Sequence, residues 1–194
     1  MTSMTPQFNA AWELHQFLTK EKIPYAIIGG IALQYWGEPR FTRDVGITIM
    51  ATLGQEETIL QKIFSVFPPR IPNALDFAIK HRVCLVRSRE GSEIDISLGI
   101  PGYEEKVVER AVKCDIGQNH MVNVCSAEDL VIHKAIAGRP QDLADIEGII
   151  LRQGKKLDVE YIQDWLRKFS ALLETEDIIE RFRNPWKRLV EENL

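Results

Sequence analysis

Residues 25–50 read YAIIGGIALQYWGEPRFTRDVGITIM, and this stretch decides the fold. Tyr25-Ala26-Ile27-Ile28 is a short apolar run closed by Gly29-Gly30, the pattern of a buried strand. Ile31-Ala32-Leu33 and Tyr35-Trp36 continue at helical spacing up to Gly37. The predicted order is strand, glycine turn, short helix, loop, and a second strand over 44–50. Two adjacent glycines let backbone approach a ligand, and N–H groups that open a helix suit an anion such as phosphate. A tight strand-to-helix turn with no ligand explains the same glycines, and the two roles are compatible.

The loop supplies Arg40, Thr42 and Arg43, and Asp44 opens the second strand ahead of Val45, Ile47 and Ile49. A carboxylate at the head of an apolar strand needs a reason. Side chains alternate along a strand, so positions 44 and 46 share a face. A later strand, Glu93-Ile94-Asp95-Ile96-Ser97, puts Glu93 and Asp95 on one face as well. If the two strands are neighbours, Asp44 and Asp95 approach each other, and a divalent cation relieves their repulsion. The plainer alternative is a solvated Asp44 and a salt-bridged Asp95.

Gly29-Gly30, a short helix, Arg40-Phe41-Thr42-Arg43-Asp44-Val45-Gly46 and a later Asp95 together resemble the nucleotidyltransferase superfamily that includes DNA polymerase beta. Within it the likeness is to the AbiEii/AbiGii toxin-like and minimal nucleotidyltransferases. It extends through Glu128-Asp129-Leu130, Lys134 and the run from Arg139 to Ile146, and covers residues 23–154. The resemblance implies Mg²⁺- or Mn²⁺-dependent transfer of a nucleoside monophosphate from an NTP to a hydroxyl on RNA, protein or a small molecule. It implies Asp44 and Asp95 as catalytic residues. Asp44 and Asp95 are the implied metal ligands, with Glu93 added as a candidate because it shares the face of Asp95, and Gly29, Gly30, Arg40, Arg43 and Lys134 are the implied phosphate contacts. One departure stands out: the family's second carboxylate belongs at position 46, where this chain has Gly46. Weak metal binding and weak or absent transfer are therefore expected, unless Glu93 compensates. The alternative is a catalytically inactive nucleotide-binding or regulatory component of the same fold, in a bacterial toxin–antitoxin setting with an antitoxin partner or as a homodimer.

Composition sets wider bounds. The chain has 194 residues, 45% hydrophobic and 27% charged, enough for one domain with a helical extension and a core without staples. A net charge of −4 argues against a broadly basic nucleic-acid surface and leaves room for a local patch. Cys84, Cys114 and Cys125 lack C-x-x-C spacing and read as core residues in a reducing cytoplasm. The first nine residues lack the pattern of a leader, and no apolar run suggests a membrane span.

The remaining chain divides at residue 125. Helices are expected over 6–20, 54–67, 74–81 and 103–110, with hairpins over 83–98 and 112–125. From Ser126, an N-cap with Asp129 as carboxylate partner, the pattern is helical to the end. The expected class is α+β: a nucleotidyltransferase-like core over 1–125, then a helical region over 126–194. Arg139, Asp142 and Asp145 read either as a cleft-facing ridge or as an ion-pair network. His133 reads as packing, and Tyr161, Trp165, Phe169, Leu172 and Leu173 as a core or dimer face.

Overall fold

The computed structural model describes residues 5–51 and 54–192. Residues 1–4, part of the stretch expected to carry no leader, lie outside the described residues. The class is α+β, with a mixed six-stranded sheet and flanking helices. The chain folds as two compact units, each described by itself below. One takes in the described residues up to Ile31 and Phe41–Cys125; the other takes in Ala32–Arg40 and the described residues from Ser126. Residues 32–40 thus fall outside the unit to which their place in the sequence assigns them.

In the first unit, α1 (Pro6–Lys20) starts where Thr5 accepts a hydrogen bond from the Phe8 N–H at 3.3 Å and Pro6 fixes the first turn. Leu14 and Leu18 bury its apolar face. β1 (Tyr25–Ile28) leads into α2 (Gly29–Trp36), within which the division between units falls, and the loop then delivers β2 (Asp44–Met50). α3 (Glu56–Phe64) ends three residues short of the expected 67, capped at Ser65. Phe67 is fully buried, and Pro68-Pro69 prevents any continuation. α4 (Ala74–His81), β3 (Val83–Arg87), β4 (Glu93–Gly99), α5 (Tyr103–Glu109), β5 (Val112–Asp115) and β6 (Met121–Val124) follow.

The strand order is β3-β4-β2-β1-β6-β5. β1 and β2 are antiparallel, as are β3 with β4 and β5 with β6. β2 runs parallel to β4, and β1 parallel to β6. Ile27, Val45, Ile47, Ile49, Ile94 and Ile96 are buried on the central strands and anchor the register. The three cysteines are buried and free; burial pushes the Cys84 thiol up to about 12, so it is an inert packing group.

In the second unit, α6 (Ala127–Ala137) begins at a closed capping arrangement. The Asp129 N–H donates to Ser126 Oγ at 3.1 Å, and the Ser126 hydroxyl donates to Asp129 Oδ2 at 2.7 Å. The Tyr161 hydroxyl, from α8 (Val159–Leu173), donates to Asp129 Oδ1 at 2.8 Å, so the buried carboxylate is satisfied on both oxygens. α7 (Pro140–Gln153) ends at Gly154, and α9 (Asp177–Trp186) carries Pro185 before a π-helical turn at Lys187–Glu191. Arg181 of α9 donates to the Ala135 carbonyl at 2.7 Å, satisfying an end of α6. Its guanidinium fills the space that a Cβ on Gly138 would need, and Gly138 has φ +62°. On α8, Ile162 and Leu166 are fully buried, whereas Leu172 and Leu173 are 75% and 50% exposed.

His133 on α6 has an Nε2 with no solvent access, although the residue as a whole keeps partial exposure. Burial lowers its pKa from 6.5 to about 4, against the pull of Asp129. The folded value is depressed, so below pH 6.5 the unfolded chain takes up a proton that the native chain refuses. Stability should fall between pH 6.5 and about 4, by up to about 1.4 kcal/mol per pH unit. Urea denaturation across that window should show a flatter slope for His133→Leu than for the wild type.

Candidate active site

The β2–β4 pairing brings the acidic residues together. Asp44 stands opposite Glu93 and Gly46 opposite Asp95, and residues opposite each other in a parallel pair point to the same side of the sheet. Asp44, Glu93 and Asp95 therefore share a face. Asp44 and Asp95 stand diagonally, about 8 Å apart at Cα from strand spacing and rise. Burial raises the Asp95 pKa; the Asp44 and Glu93 charges push the same way, against the pull of Arg70.

Arg70 is the residue sequence reasoning missed. It lies in a segment that reads as loop, yet its guanidinium spans two carboxylates. Nη1 pairs with Glu93 Oε2 at 2.6 Å, and Nη2 pairs with Asp95 Oδ1. Its side chain is only 13% exposed. The segment is held like a short strand on the far side of β3: Pro69 bridges Val86, the Arg70 N–H donates to the Leu85 carbonyl at 3.0 Å, and the Arg87 N–H donates to the Pro68 carbonyl at 3.0 Å. Leu85 is in turn the strand partner of Asp95. A signal was present in the arginine directly after Pro68-Pro69, but its destination depends on the sheet order. Glu93 is also 3.6 Å from Arg87.

The glycine turn and the acidic strand touch through Thr42. A Cβ on Gly30 would lie 2.4 Å from Thr42 Oγ1 and 2.5 Å from its Cβ, so Gly30 has no side chain because Thr42 sits there. The Thr42 hydroxyl donates to the Asp44 carbonyl at 3.1 Å and lies 3.3 Å from Asp44 Oδ1. Gly29 has φ +69°, and a Cβ there would meet nothing within 4 Å, so its need for glycine is conformational. Ile28, just before it, pairs with Gly46. Gly46 is different: a Cβ there would meet Ile28 Cγ1 at 3.4 Å, an ordinary contact, and its φ is not left-handed. Arg43 is exposed and makes no ion pair among the described residues.

The other basic residues singled out in the sequence belong to the second unit, where they are committed. Lys134 is buried and contacts Asp145 at 2.5 Å and Asp142 at 3.3 Å. Arg40 forks onto Asp145, through Nε at 2.9 Å and Nη2 at 2.8 Å. Arg139 pairs with Asp142 at 2.7 Å. Burial alone would raise both carboxyls. Arg139 and Lys134 hold Asp142 below its ordinary pKa, and Arg40 and Lys134 do the same for Asp145.

A two-ion set of hard oxygen ligands does not fit these residues as they stand. Position 46 offers no oxygen, Glu93 and Asp95 are bonded to Arg70, and no three acidic, His or Cys residues group as a metal site among the described residues. Glu93, the one candidate to stand in for the carboxylate missing at position 46, pairs with Arg70 and lies 3.6 Å from Arg87.

The chain belongs to the family described as nucleotidyltransferases of unknown function (DUF6036), whose model matches residues 8–194. No curated protein matches it. Among solved structures, it is similar to an antigenic nucleotidyltransferase-like protein from Paracoccidioides brasiliensis, at 18% identity over 93% of this chain and 94% of that one, TM-score 0.55. It is similar to the antibiotic-resistance factor ANT(2'')-Ia in solution, at 14% identity over 89% and 97%, TM-score 0.61. A crystal structure of ANT(2'')-Ia with adenylyl-2''-tobramycin aligns at 16% identity over 87% and 99%, TM-score 0.54. At these identities the likeness is one of fold.

The ion-pair network gives a direct expectation. Lys134→Met leaves two buried carboxylates short of a cation while Arg40 and Arg139 stay, so it should cost about 3 kcal/mol, the low end for breaking a buried pair. Chemical denaturation measures it; unchanged stability would free Lys134 for a ligand role.

Proposed function

We propose that this member of a nucleotidyltransferase family binds a nucleoside triphosphate over the Gly29–Gly30 turn and transfers its nucleoside monophosphate, slowly, to a hydroxyl acceptor. The observation that carries this reading is the contiguous chain of contacts from Gly30 through Thr42 to Asp44, with Asp95 on the same face of the adjacent strand. Backbone N–H groups at the start of α2 would hold phosphate oxygens, and exposed Arg43 would add a cation. The acceptor hydroxyl would attack the α-phosphorus, forming the new O–P bond as the bond to pyrophosphate breaks. Asp95, with its raised pKa, would take the hydroxyl proton. An adenylylated tobramycin in one fold neighbour supports a nucleoside monophosphate as the transferred group.

The second reading is nucleotide binding without transfer, as a regulatory or antitoxin-partnered component. Gly46 and the commitment of Asp95 to Arg70 favour it. Divalent-ion dependence belongs to the first reading only. No helix among the described residues is long and apolar enough to cross a membrane.

Calorimetry with each NTP, with and without Mg²⁺ or Mn²⁺, tests both readings. Binding of at least one NTP is expected, with Arg43→Ala weakening it by roughly tenfold, the scale of one charge-assisted contact. Label transfer from an α-³²P NTP to cell RNA, protein or small molecules then separates slow transfer from none. No binding of any NTP would remove both.

A further inference from the structure

We propose that Arg70 is the resident cation of the acidic face, so that a divalent ion can use Asp95 only when the guanidinium is displaced. The inference rests on reading Asp44 and Asp95 as a cation-binding pair, and it explains why the residues present do not fit a metal set. Three observations lead to it. The guanidinium bridges Glu93 and Asp95, one nitrogen to each, from a largely buried side chain. Its backbone is pinned to the outer side of β3 at Pro68, Pro69 and Arg70, so it is held in place and is not a swinging surface arginine. Its Nε is buried without a hydrogen-bond partner among the described residues, so the side chain is oriented by the two carboxylates at the expense of its Nε–H donor.

The charge arithmetic agrees. A guanidinium stays protonated at any working pH, so this cation is permanent. Removing the carboxylate at position 46 and supplying a fixed cation at position 70 both reduce the unbalanced negative charge that would otherwise recruit a divalent ion. Gly46 lies directly opposite Asp95, and Arg70 is the one ion-pair partner of Asp95 among the described residues. The two features act in the same direction on the same carboxylate. Arg70 thereby works as a built-in block on metal loading, one that a ligand able to draw the guanidinium away would release.

Mn²⁺ titration by calorimetry on the full chain, with no nucleotide, tests this. Arg70→Gln should bind Mn²⁺ roughly tenfold more tightly than the wild type, and Arg70→Gln/Asp95→Asn should lose that gain. Gly46→Asp with Arg70 retained should gain only about threefold, and Gly46→Asp/Arg70→Gln roughly a hundredfold. Equal affinity in the wild type and Arg70→Gln, or a gain that survives Asp95→Asn, overturns the proposal. If Arg70→Gln does not fold, Arg70→Met, an unbranched side chain without charge, takes its place; a gain of roughly tenfold supports the proposal and no gain overturns it. Because no nucleotide is used, failure of NTP binding leaves this comparison standing, and failure of this comparison leaves NTP binding to its own titration.

Discussion

Everything at the candidate site depends on the in-register parallel pairing of β2 with β4. Seven consecutive residue pairs, from Asp44 with Glu93 to Met50 with Gly99, fix which side chains share a face. Slipping the register by one residue would turn Asp95 to the opposite side and bury it where Ile94 and Ile96 now pack. The apolar alternation along both strands forbids that slip. Burial of Val45, Ile47 and Ile49 thus positions Asp44 as firmly as any contact Asp44 itself makes.

That face holds opposing charges close together, and the two units treat charge differently. In the first, the acidic residues remain partly exposed and Arg70 answers two of them. In the second, Lys134, Asp142 and Asp145 are buried and closed by Arg40 and Arg139. Buried pairs of that kind gain little over apolar packing, but each member is costly to remove alone. A half-open acidic face can take part in chemistry; a closed, desolvated network is suited to fixing geometry.

Much of this was legible in the sequence because it is local. The Gly29-Gly30 break, the Ser126 cap with Asp129 and the stop after Pro68-Pro69 are each set within a few residues, and the elements follow them. Asp44 and Asp95 were legible because strand period alone assigns a face once the strands are neighbours. Long-range placement was not. Arg70 reaches Asp95 only because β3 lies outside β4, an order that no pattern within either strand encodes. The same holds for Gly30, whose missing side chain answers Thr42, twelve positions on. The ion pairs of Lys134 were not legible either, because its partners Asp142 and Asp145 sit on the next helix.

The central claim is that the glycine turn and the head of β2 form one ligand-binding surface. Amide chemical-shift mapping by NMR during an NTP titration tests it most directly. The largest shifts are expected at Gly29, Gly30, Thr42, Arg43 and Asp44, moving together along one saturation curve. Saturable shifts confined to residues remote from that turn, or no shifts with any NTP, would contradict it.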